Sequence, residues 1–559
     1  MPYVVTQACC ADASCVVACP VNCIQPAPGD PAFATAEMLH VDPTSCVDCG
    51  ACATACPVDA IKPHTRLTPG EQPFLAVNAE YFDVFPHLDR APVAVVPEQR
   101  RLRSDRAVRV AVVGAGPAGL YAADELLKHP EVSVDVFDRL PTPYGLVRAG
   151  VAPDHQDTKR AQDLFGQIEG ERGFRYRLGV EVGADGAGDL SRTELEERYD
   201  AVLWTVGAAS DRALGVPGED LVGSLSATDL VGWYNGHPDK QDLAVDLDHE
   251  RVVVVGNGNV ALDCARVLTL PPDHLAGTDV AGVPFAVLRS SSVREVVVLG
   301  RRGPAQAAFT LPELIGLGAL ADEGVLNVRV ETGGAPLDGD DAVSRRLAVL
   351  AELPQDPALR TVVLRFLTSP VRVVADAAGE RVAGVEVART ELVADERGVL
   401  RAKATEDTEV LTCGTVLRSV GYHGLPVADL PYDAATGTVP NERGRVRPGT
   451  YVAGWVKRGP TGFIGTNKSC AEETAATLLD DLDADAVTRP TRSADDLPAL
   501  LRSRGVEVLD LADWRALDAE ERRRGAARGR PRAKIVDREE MVRVAVEARS
   551  RDRYARRGR

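Results

Sequence analysis

A small cysteine-rich α+β unit followed by two parallel-sheet α/β units is the architecture this sequence predicts. Three observations carry that expectation. Nine of the twelve cysteines lie in the first 56 residues. Two glycine-rich turns, at Gly114 and Gly256, each follow an apolar strand and open a helix. The 559 residues leave room for roughly three or four domains. Acidic residues outnumber basic ones, 82 to 64, and the net charge of −18 argues against a nucleic-acid binder. An apolar content of 45% excludes wholesale disorder. No apolar run approaches the ~18 residues of a membrane span. The start, Met1-Pro-Tyr-Val-Val-Thr, has no basic stretch leading into an apolar one. The expectation is therefore a cytoplasmic chain without a membrane partner.

The first element is set by its cysteines. Cys46, Cys49, Cys52 and Cys56, followed by Pro57, form the run C-x2-C-x2-C-x3-C-P. Three thiolates on one short loop suit three corners of an iron–sulfur cube, while the fourth turns away to a second cluster. The pattern thus requires a partner motif, which stands upstream as Cys9, Asp12, Cys15 and Cys19, followed by Pro20. One cluster is assigned to Cys19, Cys46, Cys49 and Cys52, and the other to Cys9, Cys15 and Cys56. In the second cluster Asp12 stands where a cysteine would. That corner either loses its iron, giving 3Fe–4S, or keeps it on oxygen as 4Fe–4S; oxygen suits such iron less well than sulfur. Cys10 should point elsewhere, and Cys23 matches no ligand position. A zinc knuckle is the competing reading, but the run crowds too many cysteines for one ion. Residues 1–63 resemble the two-cluster bacterial ferredoxins, with Tyr3-Val-Val-Thr and Met38-Leu-His-Val-Asp as edge strands. Residues 64–106, with several prolines, read as a semi-rigid surface linker.

The second element opens at Val108. An apolar strand runs into Gly114-Ala115-Gly116-Pro-Ala-Gly119 and then a helix. The first two glycines let the backbone approach a pyrophosphate, the third lets helix and strand pack, and the helix N-terminus faces the phosphates. A further strand ends in Asp138, 19 residues after Gly119, where a carboxylate accepts from ribose hydroxyls. The third element repeats the device as Gly256-Asn257-Gly258-Asn259-Val260-Ala261. Its next strand ends at Arg301-Arg302, and two guanidiniums in that place favour a 2′-phosphate, hence NADPH over NADH. Residues 270–293 read as an inserted loop. Two dinucleotide turns and an iron–sulfur unit in one chain imply FAD and NADP(H) working with clusters that take single electrons.

With those residues in view, 107–490 resembles the adrenodoxin reductase family of NADPH–ferredoxin reductases. The resemblance rests on Leu140 to His155, Gly256 to Asp263, Gly300 to Pro304 and Gly454 to Lys468. The whole is similar to ferredoxin/ferredoxin–NADP reductase fusions. It implies an α+β ferredoxin-like N-terminal domain followed by α/β, with the NADP domain inserted in the FAD domain. The implied boundaries are 1–63 for the ferredoxin domain, 64–106 for the linker, 107–210 and 419–490 for the FAD domain, 211–418 for the NADP domain and 491–559 for a C-terminal extension. It further implies that Ala115, Asp138, Leu146 and Val182 contact FAD. Arg212, Asn257 to Val260, Arg301, Arg302 and Glu313 contact NADP. Trp455, Gly462, Phe463 and Ile464 line the flavin ring, and His155 is the catalytic or positioning group beside it.

The tail from Glu520 to Arg559 holds fifteen basic residues against seven acidic, while the first 100 residues carry a net −7. It reads as a partly helical solvated tail, with docking onto the acidic iron–sulfur face as the sharper alternative. The implied activity is electron transfer from NADPH through FAD and the fused clusters to an external one-electron acceptor, such as a ferredoxin or a cytochrome P450 system. Two other readings stand beside it: an iron–sulfur domain that serves only for docking, and an electron-supplying subunit such as the small subunit of glutamate synthase.

Overall fold

Val108–Val113 is buried at every position but Arg109, and a strand apolar on both faces belongs inside a parallel sheet. The computed structural model describes residues 2–86, 100–337 and 344–557, with side chains as far as 550. There this strand sits within a six-stranded sheet ordered Arg445–Arg447, Thr450–Val452, Ala201–Trp204, Val108–Val113, Val132–Asp138, Phe174–Leu178. All pairings are parallel except that of the first two strands. A second six-stranded sheet, parallel throughout, is ordered Ser224–Ser226, Thr415–Arg418, Arg251–Val255, Glu295–Gly300, Thr361–Phe366, Asn327–Glu331. In each sheet the chain runs from the strand feeding the glycine turn to a neighbour on one side and later returns to its other side, a reversal at which open α/β sheets hold ligands. The chain passes from the first sheet to the second and back through two short strands, Ser210–Asp211 and Tyr422–His423, which pair antiparallel. Three long antiparallel strands, Thr368–Ala375, Val382–Ala394 and Leu400–Thr412, form a separate small sheet beside the second.

The N-terminal unit pairs Tyr3–Val5 with Ile61–Pro63 and Ile24–Gln25 with His40–Val41. Two short helices, Ser14–Ala18 and Ala51–Ala55, lie beside the cysteines. The linker expected over 64–106 differs in its first part. Pro73–Val84 is a helix whose Phe74 and Val77 join the core of this unit. Asn78 ties two of its strands, accepting from the Val5 and Val41 N–H groups and donating to the Val5 carbonyl. Tyr81 stacks on His40 with ring centroids 4.0 Å apart. Prolines in 64–73 hid a helix that starts on one of them, where a missing N–H costs nothing. Residues 87–99, with Pro92 and Pro97, lie outside the described residues.

Two further expectations are corrected. Residues 270–293 are not a loop but two helices, Pro272–Ala276 and Gly282–Arg289; the first has a proline in its opening turn. Among the described residues the C-terminal extension is neither a solvated tail nor docked on the iron–sulfur face. Trp514, Leu517, Ile535, Met541 and Ala545 are buried in the same core as Val110 and Val112. The Trp514 indole N–H donates to the Tyr144 hydroxyl at 3.2 Å, and Arg148 clasps the buried Glu521 at 2.6 and 2.9 Å. Lys534 and Arg530 reach the second unit at Asp279, Ala276 and Val280. A charge count passes over apolar residues at helical spacing and over basic side chains whose acids come from elsewhere in the chain. Among the described residues no helix is long and apolar enough to cross a membrane.

Candidate functional site

At the first glycine turn, Gly114 has φ +113°, and a Cβ there would lie 2.6 Å from the Thr205 carbonyl oxygen. A Cβ on Gly119 would come within 2.0 Å of the Gly114 oxygen, so the helix Pro117–Leu127 rests directly on the turn. The Ala115 and Leu140 N–H groups both donate to Asp138, each at 2.9 Å. Burial pushes the Asp138 carboxyl above its usual range, against the pull of those two N–H groups. Leu146 is exposed on the short helix Gly145–Ala149, whose first residue packs against Gly116. Val182 lies farther along, against the cluster containing Val113 and Phe137.

The second turn repeats this geometry. Gly256 has φ +109°, with the Ser419 carbonyl where a Cβ would be, while at Gly258 nothing stands within 4 Å of that position. That space, at the N-terminus of Asn259–Thr269, fits a phosphate. Asn259 exchanges hydrogen bonds with Thr310. Asn257 places its amide over Gly300, where a Cβ would leave it only 2.7 Å. Val260 is half-buried at the start of the helix. Arg301 and Arg302 are exposed, and their carbonyls are held by Thr390 and Leu367. Arg212 stands at the crossing, its N–H donating to the Gly421 carbonyl at 3.0 Å.

Where the two units face each other, Arg266 gathers the acids. This buried guanidinium donates to Asp154 at 2.6 Å and Asp263 at 2.7 Å, and lies 3.6 Å from Glu313. His155 Nε2 is 3.9 Å from Glu313 Oε2. His155, Asp263 and Glu313 each offer an atom within 4.8 Å of the others. Arg266 already supplies the positive charge that a metal ion would bring there. Burial raises the Glu313 carboxyl, opposed by His155 and Arg266. Burial also works on Asp154, but Arg266 outweighs it and holds that carboxyl well below its usual range. Sequence reading found His155 and Glu313 and passed over Arg266 and Asp154. The signal for Arg266 was Asp263, an acid three residues before it on one helix face; Asp154 had no comparable local signal.

The segment expected to line a flavin begins at Gly454, φ +76°, tight against Ala118. Trp455 lies 5.0 Å from Tyr422, ring to ring, and its indole N–H donates to the Thr461 carbonyl. Phe463 N–H donates to Thr466 Oγ1 at 3.0 Å, next to Gly462, whose φ is +80°. The helix Thr466–Asp483 follows. This segment meets the cysteine-rich unit. Gly465 N–H donates to the Cys10 carbonyl at 2.7 Å, and a Cβ on Gly465 would fall 2.1 Å from the Asp12 nitrogen. Ile464, Cys9, Cys10 and Cys56 share one apolar cluster, and Lys468 donates to Ser14 at 3.3 Å.

The cysteines fall into two neighbourhoods. Cys15 has Cys9, Asp12 and Cys56 as its stronger electrostatic neighbours and Cys52 as a weaker one, while Cys52 has Cys46, Cys19 and Cys49. Burial pushes Cys9 up to about 11 and Cys52 up to about 12, so without a cation both stay protonated thiols. Cys23 Sγ lies 3.5 Å from Cys19 Sγ, and its hydrogen bond draws Cys19 down to about 6. Among the described residues no three cysteine sulfurs gather within 4.8 Å. Cys49 is the exposed member, and the Asp12 carboxylate accepts from both the N–H and the hydroxyl of Ser14.

Comparison with known proteins follows the same division. Residues 108–286 match the pyridine nucleotide-disulphide oxidoreductase family and residues 39–62 the 4Fe-4S binding domain. A probable ferredoxin/ferredoxin–NADP reductase of Mycobacterium bovis is 48% identical, over 98% of this chain and 96% of its own. The mitochondrial NADPH:adrenodoxin oxidoreductase of Homo sapiens is 42% identical, over 79% of this chain and 92% of its own. The structure of Mycobacterium tuberculosis FprA in complex with NADPH superposes with a TM-score of 0.74 at 41% identity, over 79% of this chain and 100% of its own.

Proposed function

The chain belongs to the ferredoxin/ferredoxin–NADP reductase family, and from that premise we propose which of its residues serve each redox group. It is an oxidoreductase that passes electrons between NADPH and iron–sulfur proteins, and it takes FAD, NADP and at least one iron–sulfur cluster. When bound, these groups supply hydride acceptance at the flavin and single-electron acceptance at iron; the protein supplies binding and orientation.

In this reading the NADP domain, about 211–418, is inserted in an FAD domain made of 107–210 and 419–490, behind a ferredoxin-like unit. The paired crossing strands support that division. Gly114, Ala115, Gly116 and Gly119 take the FAD pyrophosphate and Asp138 the ribose, with Leu146, Val182, Trp455, Gly462, Phe463 and Ile464 as further contacts. The N-terminus of Thr466–Asp483 stabilises negative charge beside the flavin. Gly256 to Val260 cradle the NADP phosphates, and Arg301 and Arg302 read the 2′-phosphate, with Arg212 near. Glu313 and His155 hold the nicotinamide end, and Arg266 holds Glu313. Cys19, Cys46, Cys49 and Cys52 take a 4Fe–4S cluster. Cys9, Cys15 and Cys56 take a 3Fe–4S cluster, because the remaining position of their motif is Asp12, an oxygen donor less suited to such iron than a thiolate.

The contact between Gly465 and Cys10 carries the relay reading: the flavin-lining segment and a cysteine group share a backbone hydrogen bond of 2.7 Å. The acceptor beyond the clusters is then an external one-electron carrier, such as a ferredoxin or a cytochrome P450 system. Replacing Cys49 by Ala tests the relay. Reduction of a one-electron acceptor falls to background, flavin reduction by NADPH continues, and iron per flavin drops from about seven in the parent. Undiminished acceptor reduction with that iron lost would mean that the unit serves only for docking.

A further inference from the structure

The helix Leu311–Asp322 carries Glu313, and much of what fixes it comes from the iron–sulfur unit. Its first peptide, Leu311 N–H, donates to the Glu37 carboxylate at 2.8 Å, a negative charge at the positive end of the helix. One turn in, Ile315 is 4% exposed, within the core of the iron–sulfur unit beside Val5 and Val77. Farther along, Gly70 packs against Ala319 so closely that a Cβ would lie at 2.9 Å. Between these anchors Gln7 Nε2 donates to Glu313 Oε2 at 3.4 Å. The Gln7 amide is seated over Gly316, where a Cβ would fall 2.3 Å from its nitrogen.

We propose that the iron–sulfur unit forms one wall of the nicotinamide site, with Gln7 as the positioning residue for Glu313. The proposal rests on the reading above that Glu313 holds the nicotinamide end. The other groups facing Glu313 are His155, Arg266, Asp263 and Asp154. Arg266 attracts the carboxylate and the two aspartates repel it. Gln7 is a neutral donor, so it fixes one oxygen without changing the charge of the cluster. Without it the carboxylate turns onto Arg266, 3.6 Å away, and no longer offers an oxygen to the nicotinamide amide. The unit thus serves the two-electron end of the enzyme through a side chain, separately from any electron its cysteines help to carry.

The test uses the full-length holoprotein and calorimetric titration with two ligands: NADP+, and 2′,5′-ADP, which lacks the nicotinamide. Gln7→Glu keeps the size of the side chain and sets a carboxylate against Glu313. Gly316→Ala displaces the Gln7 amide from the other side of the interface and improves helix propensity. Both variants should bind NADP+ about 10-fold more weakly, the scale of one hydrogen bond to a charged group, while binding 2′,5′-ADP as the parent does. Iron per flavin shows whether the clusters are intact; if Gln7→Glu loses iron, Gly316→Ala decides. Unchanged NADP+ affinity, or an equal loss for both ligands, would overturn the proposal. Failure of the Glu313 assignment itself would look different: Glu313→Ala would then bind NADP+ as tightly as the parent does.

Discussion

Arg301 and Arg302 follow the strand Glu295–Gly300 with their side chains exposed and their carbonyls already bonded, so the guanidiniums can be removed without disturbing the sheet. Changing both to Ala should weaken NADPH binding at least 10-fold, as loss of charge-assisted hydrogen bonds does. NADH binding should change less than about two-fold, and fluorescence titration measures both. The place of these arginines was legible in the sequence because they end a strand next to a glycine turn, and the two cysteine runs stood out because of their spacing. Arg266 and Gln7 were not. Gln7 and Glu313 are 306 positions apart, and no local pattern says that a glutamine before a cysteine motif will meet an acid in a distant helix. Asp12 is an intermediate case: its place in the motif showed a missing thiolate, but its bond to Ser14 needed the fold.

Among the elements, the C-terminal extension shows how composition misleads. Its helix Leu511–Ala526 carries the fully buried Glu521, which accepts from Arg148, Arg532 and the Ile535 N–H. Burial works against its ionisation, but the two arginines keep its carboxyl below the usual range. Glu521→Ala would leave the buried Arg148 without its carboxylate and Arg532 with Asp518 alone, a loss of about 3 kcal/mol, read as a lower urea midpoint with flavin fluorescence as probe. The same shift has a sign in pH. Stability from this carboxylate is present above the unfolded pKa near 4 and fades as pH falls through the lower folded value. The strands of both sheets were easier to read, since runs such as Val252–Val255 have one simple physical meaning.

For the whole molecule, the acidic front of the chain suggested an electrostatic attachment, yet its seat is of another kind. Gly465 bonds the Cys10 carbonyl, Ile464 packs with Cys9 and Cys56, and Ile315 enters the core of the iron–sulfur unit. The ion pairs Arg160–Asp59 and Arg345–Glu80 are exposed on both sides and contribute little. Tenfold more salt should therefore leave flavin-to-cluster transfer within about two-fold in stopped-flow traces, because short-range contacts are not screened. A steep fall would mean that the unit is held by charge. Transfer to a basic external acceptor should slow under the same conditions.

The two strands that join the sheets, Ser210–Asp211 and Tyr422–His423, lie side by side, so everything between them leaves and re-enters at one doorway. Such a segment is a natural cassette: a foreign pyridine-nucleotide module whose ends meet the same way can be grafted there without rerouting the host chain. The graft keeps its footing only if it brings equivalents of Ile315 and Asp279, the residues by which the present module is gripped from either flank. On the domain division proposed above, coenzyme preference is thus exchangeable by the block, provided the handholds travel with it.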